Sequence, residues 1–120
     1  MKYIERPGDI TLTDPATGHR AVAPNGDVSP PRRFESHVVE CWLSDPRMGT
    51  SLDEVDVVQK LYTSVRALKA GDVWDVEDAD YKKLEPIVRA PQNCYPSPLL
   101  NMQVTPFQRA FLNAKSEKSE

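Results

Sequence analysis

The chain contains no run of apolar residues near the ~20 that a membrane-crossing helix needs, so no membrane partner is expected. Its opening residues, Met1 to Pro7, place no apolar stretch behind their positive charge, and no secretion signal is expected there. Cysteine is scarce. Cys41 and Cys94 stand far apart in no metal-like spacing. Without an export signal they read as reduced thiols, which makes a cytoplasmic setting the expectation. His19 and His37 are the only histidines, and neither a His-x-x-x-His nor a Cys-x-x-Cys spacing occurs. The usual zinc patterns are therefore missing, and no metal or other cofactor is expected. The five glycines are separated, with no Gly-x-Gly-x-x-Gly and no Gly-Lys-Ser/Thr loop to cradle phosphate. Nor is there a basic excess. The net charge is −3, which offers nucleic acid no general attractive field.

Proline, by contrast, is abundant: eleven in 120 residues, about twice ordinary usage. Five lie between Pro7 and Pro31 and five between Pro86 and Pro106; only Pro46 falls between. The core is expected in the middle, flanked by extended, proline-stiffened ends. One domain overall is expected, of three parts: a turn-rich hairpin and linker over 1–33, a helical core over 34–89, and a proline-rich segment with a C-terminal helix over 90–120. The middle part carries twelve acidic and seven basic side chains.

The expected fold class is α+β: a mainly helical core of two or three helices, a small N-terminal β-hairpin and proline-rich irregular ends. Ile10 to Thr13 alternates like a half-buried strand, Asp14-Pro15-Ala16-Thr17-Gly18 suits a type I turn closed by a left-handed residue, and His19 to Ala23 returns. Phe34 to Leu43 reads as helix, with Phe34, Val38, Cys41 and Trp42 at helical spacing; a strand is the alternative. Ser51-Leu52-Asp53-Glu54 is a capping box. After it Leu52, Val55, Val58, Leu61, Tyr62, Val65 and Leu68 mark one face of a long helix, which Gly71 ends. Acids crowd the start of this helix and bases its end, as its dipole favours. Asp72 to Val76 reads as extended. A second helix opens near Asp78, its apolar face given by Tyr81, Leu84, Ile87 and Val88, and Pro86 is expected to kink or end it near Glu85. Ser97-Pro98 starts a brief helix, and Thr105-Pro106-Phe107-Gln108 reads as a second capping box.

No constellation forces a chemistry, so no catalytic residue is assigned. Asp72, Asp75, Glu77, Asp78 and Asp80 crowd together, but the glycine and glutamate of a calcium loop do not fall in register. Helix capping explains the cluster better. His37 is expected on a solvated face and His19 in a turn. Arg32-Arg33 is too small a basic footprint for nucleic acid. The ends are more informative. Tyr95, Leu99, Leu100, Phe107 and Phe111 carry apolar groups that either wrap the molecule's own core or dock on a partner, and they are the candidate partner-binding residues. The open edge of the hairpin is a further candidate.

The stretch Gly71-Asp72-Val73-Trp74-Asp75-Val76-Glu77-Asp78-Ala79-Asp80-Tyr81-Lys82-Lys83-Leu84 follows an amphipathic helix and precedes a tail with Pro106-Phe107-Gln108-Arg109-Ala110-Phe111. In this it resembles small accessory proteins encoded among the virion genes of tailed phages and prophages. The resemblance implies a role in building or regulating a particle, and hence a virion-associated location, and transfers no site residues. Three readings follow. The first is a non-enzymatic interaction or assembly protein that binds a protein partner or itself. The second is a small enzyme or enzyme subunit using Cys41 or Cys94 with a histidine or the acidic cluster. The third is a nucleic-acid-binding regulator using Arg20, Arg32 and Arg33.

Overall fold

The computed structural model describes residues 1–14, 17–19, 31–92, 95 and 97–116. The elements in chain order are β1 (Lys2–Glu5), α1 (Phe34–His37), a π-helical continuation (Val38–Leu43) and a 3-10 turn (Pro46–Met48). Then come α2 (Leu52–Arg66), β2 (Val73–Val76), α3 (Asp78–Arg89), α4 (Pro98–Gln103) and α5 (Thr105–Leu112). The class is α+β, with helices around one small antiparallel sheet.

That sheet pairs β1 with β2, in the register Lys2↔Val76, Tyr3↔Asp75, Ile4↔Trp74 and Glu5↔Val73. Along β2 burial alternates: Trp74 and Val76 face inward, Val73 and Asp75 outward, the period of a pleated strand. On the far side of β1, Tyr3 and Lys115 exchange backbone hydrogen bonds of 2.8 and 2.9 Å. Where the turn is expected after Ile10–Thr13, Gly18 takes the left-handed φ of 74 and its N–H donates to the Asp14 carbonyl, while Pro15 and Ala16 lie outside the described residues. The returning arm, 20–23, lies outside the described residues. Ile10 instead forms an isolated antiparallel bridge with Arg32.

Phe34 to Leu43 is helical, as its spacing predicts, but its second half widens into a π-helix. The wider turn brings Phe34, His37, Val38, Cys41 and Trp42 all into the core. His37 is therefore buried, correcting the expectation of a solvated face: its ring lies 5.5 Å from that of Trp42 and 5.1 Å from that of Phe107.

The first capping box forms as predicted. The Glu54 N–H donates to Ser51 Oγ (3.2 Å) and the Ser51 N–H to Glu54 Oε1 (3.3 Å). Hydrogen bonding to Ser51, then to Lys83 Nζ 3.0 Å away, holds the Glu54 carboxyl down to about 2. Gly49, at φ 88, leaves the space this carboxylate fills. The apolar face of α2 is not all buried, however. Leu61 and Val65 enter the core, while Leu52, Val55 and Tyr62 stay outside. At ~100° per residue the predicted face wraps about 200° of the helix, more than one neighbouring layer covers.

In α3, Tyr81, Leu84, Ile87 and Val88 point inward as predicted. The helix does not end near Glu85; it runs through Pro86 to Arg89. Interior proline costs about 3 kcal/mol, and complete burial of Ile87 and Val88 returns about 1.5–3 kcal/mol each. Pro86 is exposed. Pro86→Ala restores an N–H aimed at the Lys82 carbonyl, so it is expected to stabilise the protein by about 1–2 kcal/mol after allowing for a freer unfolded chain. A rise in the thermal midpoint checks this.

The second capping box does not form. Thr105 Oγ1 donates to the Met102 carbonyl (3.0 Å), and Gln108 Nε2 crosses to the Val88 carbonyl (2.9 Å). Val104 is the N-cap. The core also extends beyond the middle of the chain, since Ile4, Val104, Phe107 and Phe111 all belong to it. All three phenylalanines and both tryptophans are buried.

Candidate functional site

The five predicted contact residues separate into two groups. Phe107 and Phe111 are fully buried, so they are core side chains and not a free contact surface, a correction to the expectation for both. Phe107 stacks on Phe34 at 5.6 Å, and Phe111 stacks on Tyr81 at 4.6 Å. Phe107 thus packs against α1 and Phe111 against α3. Leu99, in contrast, is 54% exposed. Leu100 and Tyr95 are half-buried, Tyr95 with the Arg32 guanidinium 5.9 Å from its ring centre.

The surface helix α4 positions this second group. Ser97 Oγ accepts from the Leu100 N–H (3.4 Å), and Pro98 pre-sets the first turn. Asn101 Nδ2 donates to the Tyr95 carbonyl (2.7 Å). Gln103 grips the N-terminal segment: it accepts from the Thr13 N–H (2.8 Å) and donates to the Thr13 carbonyl (2.9 Å). These bonds hold α4 so that Leu99 and Met102 stand outward, Met102 being 65% exposed. Met102 was not among the predicted residues. Its spacing of three from Leu99 was the available signal.

A second apolar face lies on α2. Val55, Val58 and Tyr62, with Val39 and Leu43 of the π-helical segment, line a groove of about 260 Å³. Leu52, 77% exposed, continues the strip toward the helix start. A cleft of about 640 Å³ runs beside β1, walled by Tyr3, Glu5, Val73, Ala110 and Lys115. Arg6 lies at its floor, and its guanidinium is engaged by Glu35.

Among the described residues considered for chemistry, all but His19 are buried or engaged by a neighbour. Cys41 is 2% exposed, with the Arg32 guanidinium 3.7 Å from its sulfur. Cys94 lies outside the described residues. His19 is exposed in the turn after Gly18. In the acidic cluster, Asp72 accepts from the Lys69 N–H, Asp78 meets the Met1 amino group, and Asp80 and Glu77 share Lys60. Among the described residues no group of three or more histidine, cysteine, aspartate or glutamate side chains is placed to hold a metal ion. Arg32 pairs with Glu40 (2.6 Å) and Arg33 with Glu35 (2.7 Å); Arg20 lies outside the described residues. Among the described residues no helix is long and apolar enough to cross a membrane.

Comparison of the chain with protein-family models, with curated proteins and with solved structures finds no match to any of them.

Proposed function

We propose that the protein is a non-enzymatic interaction or assembly protein that binds a protein partner through α4. Leu99 and Met102 are the anchors, and Tyr95 and Leu100 flank them. The observation that carries this reading is two adjacent large apolar side chains, each more than half exposed, on a short helix braced at both ends. A fold that buries every phenylalanine and tryptophan leaves these out, and outward apolar groups on a fixed backbone lose little entropy on docking. The setting suggested by the resemblance is a phage or prophage particle, with the protein in the cytoplasm or on the virion.

Co-purification from the native host with Leu99→Glu/Met102→Glu as the control tests this. Both changes lie on the surface, so the thermal midpoint is expected to move little, within about 0.5 kcal/mol per site. Proteins held by the parent chain and lost by the variant are the expected result. Virion components among them support the particle setting, and their absence removes it. Equal retention by both chains overturns the α4 assignment.

A further inference from the structure

We infer that α2 is a self-association face, on which a second copy of this chain lies antiparallel across a two-fold axis. This inference is independent of the proposal for α4, because the two faces share no residue.

The apolar part is the strip formed by Leu52, Val55 and Tyr62, at 77, 47 and 36% exposure, together with the groove beside Val39 and Leu43. The positions 52, 55, 59, 62 and 66 alternate steps of three and four, the spacing of a helix seam. Nothing in the described chain covers this strip.

The charges identify the occupant. On the core-side flank of α2 the ionic groups are already paired, Glu54 with Lys83 and Lys60 with Asp80. Those toward the two ends are not. Asp56 near the helix start, about 40° round from Leu52 at ~100° per residue, has no ion pair among the described residues, and neither does Arg66 at the helix end. Asp53 lies on the far side of the helix and takes no part. Arg66 instead donates to the Tyr62 hydroxyl (2.9 Å) with its guanidinium 4.9 Å from that ring's centre. One face is thus acidic at one end, apolar along its length and basic at the other. A parallel copy would set acid on acid and base on base. An antiparallel copy sets each acidic end against the basic end of the other and opposes the two helix dipoles. Self-complementarity of one patch is what a two-fold interface requires. With Gln59 nearest the axis, Val55 meets Tyr62 of the second copy, and the stem of Arg66 lies over Leu52. A face about 22 Å long and one helix wide is small for a specific interface, so association belongs in the micromolar range.

Sedimentation equilibrium on the full chain over a concentration series is the test, with circular dichroism on each variant. The expected result is a monomer–dimer equilibrium for the parent chain that Val55→Glu abolishes. Asp56 stands about one turn from Arg66 of the second copy in this register, so Asp56→Lys alone is expected to raise the dissociation constant about fivefold, since that pair occurs twice across the axis. Asp56→Lys/Arg66→Glu is expected to bring it back. A parent chain that stays monomeric throughout overturns the inference. So does a dimer that folded Val55→Glu leaves intact, or one that the charge reversal fails to weaken. Loss of the dimer in Leu99→Glu/Met102→Glu, with Val55→Glu unaffected, would assign it to α4 instead.

Discussion

In urea, Phe111→Ala is expected to unfold with about 3–5 kcal/mol less stability than the parent chain. Phe111 is fully buried where four elements meet: its ring centre is 5.4 Å from Trp42, 6.1 Å from Trp74 and 4.6 Å from Tyr81. Truncation removes the transfer energy of the ring and leaves a cavity bounded by large, rigid side chains that collapse poorly. The backbone carbonyl of Phe111 keeps its bond from the Tyr81 hydroxyl (3.0 Å), so the loss reports packing and not that hydrogen bond. Domains of this size hold about 5–15 kcal/mol in total, so one change removes a large share. Leu99→Ala, on the same C-terminal third but exposed, is expected to shift stability by less than about 0.5 kcal/mol. Tryptophan fluorescence follows both, since both reporters are buried. An unchanged midpoint for Phe111→Ala would show that α5 does not close the core.

The second large effect concerns charge. The Arg6 side chain is 3% exposed and that of Glu35 12%, and the two form a buried salt bridge to which Arg33 adds from outside at 2.7 Å. Glu35→Ala leaves the Arg6 guanidinium, which cannot give up its proton, with only the Pro7 carbonyl and the more distant, half-exposed Asp9 carboxylate (3.4 Å) as partners. The expected cost is about 3–5 kcal/mol. Arg6→Met/Glu35→Leu, which removes both charges, is expected to recover most of it. The same pair sets a pH dependence. Burial pushes the Glu35 carboxyl up, but backbone hydrogen bonding, the bond from Arg6 and the charges of Arg6 and Arg33 outweigh it, leaving the group below its ordinary value. A carboxyl depressed in the folded state contributes stability that is complete above its unfolded value, 4.5 here, and is lost as pH falls through the lower folded value. The parent chain should therefore lose stability below about pH 4.5. Glu35→Ala should show a shallower acid limb in denaturation curves taken from pH 7 to 3. Identical limbs would mean that the pair does not couple to folding.

What the sequence revealed was local. The cap at Ser51 needs only Glu54, three residues on, and the turn at Gly18 needs only its own backbone, so both were readable. Strand β2 was readable as a short extended segment, but its partner β1 was not, because nothing near Lys2–Glu5 refers to Val73–Val76. The Arg6–Glu35 pair was hidden for the same reason. Thr105 and Gln108 have the residue types of a capping box, yet distant carbonyls took both side chains. Phe107 and Phe111 show the deeper limit. A narrow apolar stripe on a helix looks the same whether it closes its own core or waits for another molecule, and only the packing beneath it decides. Leu99 was readable as a contact candidate because it is an apolar residue in a proline-rich end outside the expected central core. For α2 the pattern said amphipathic, and the width of the apolar arc, part of which stays exposed at Leu52 and Val55, was the part left unread.

The bridge between Tyr3 and Lys115, and the pairing of β1 with β2, also order events in time. During synthesis Lys2–Glu5 is made first and its partner Val73–Val76 some seventy residues later. At about 5–20 residues per second the ribosome supplies that partner only after roughly 4–15 s, and Lys115 later still. Over that interval α2 can coil on its own cap while the first strand has no ladder to join. The second flank of β1 can therefore be closed by Lys115 only after both strands of the sheet have been made.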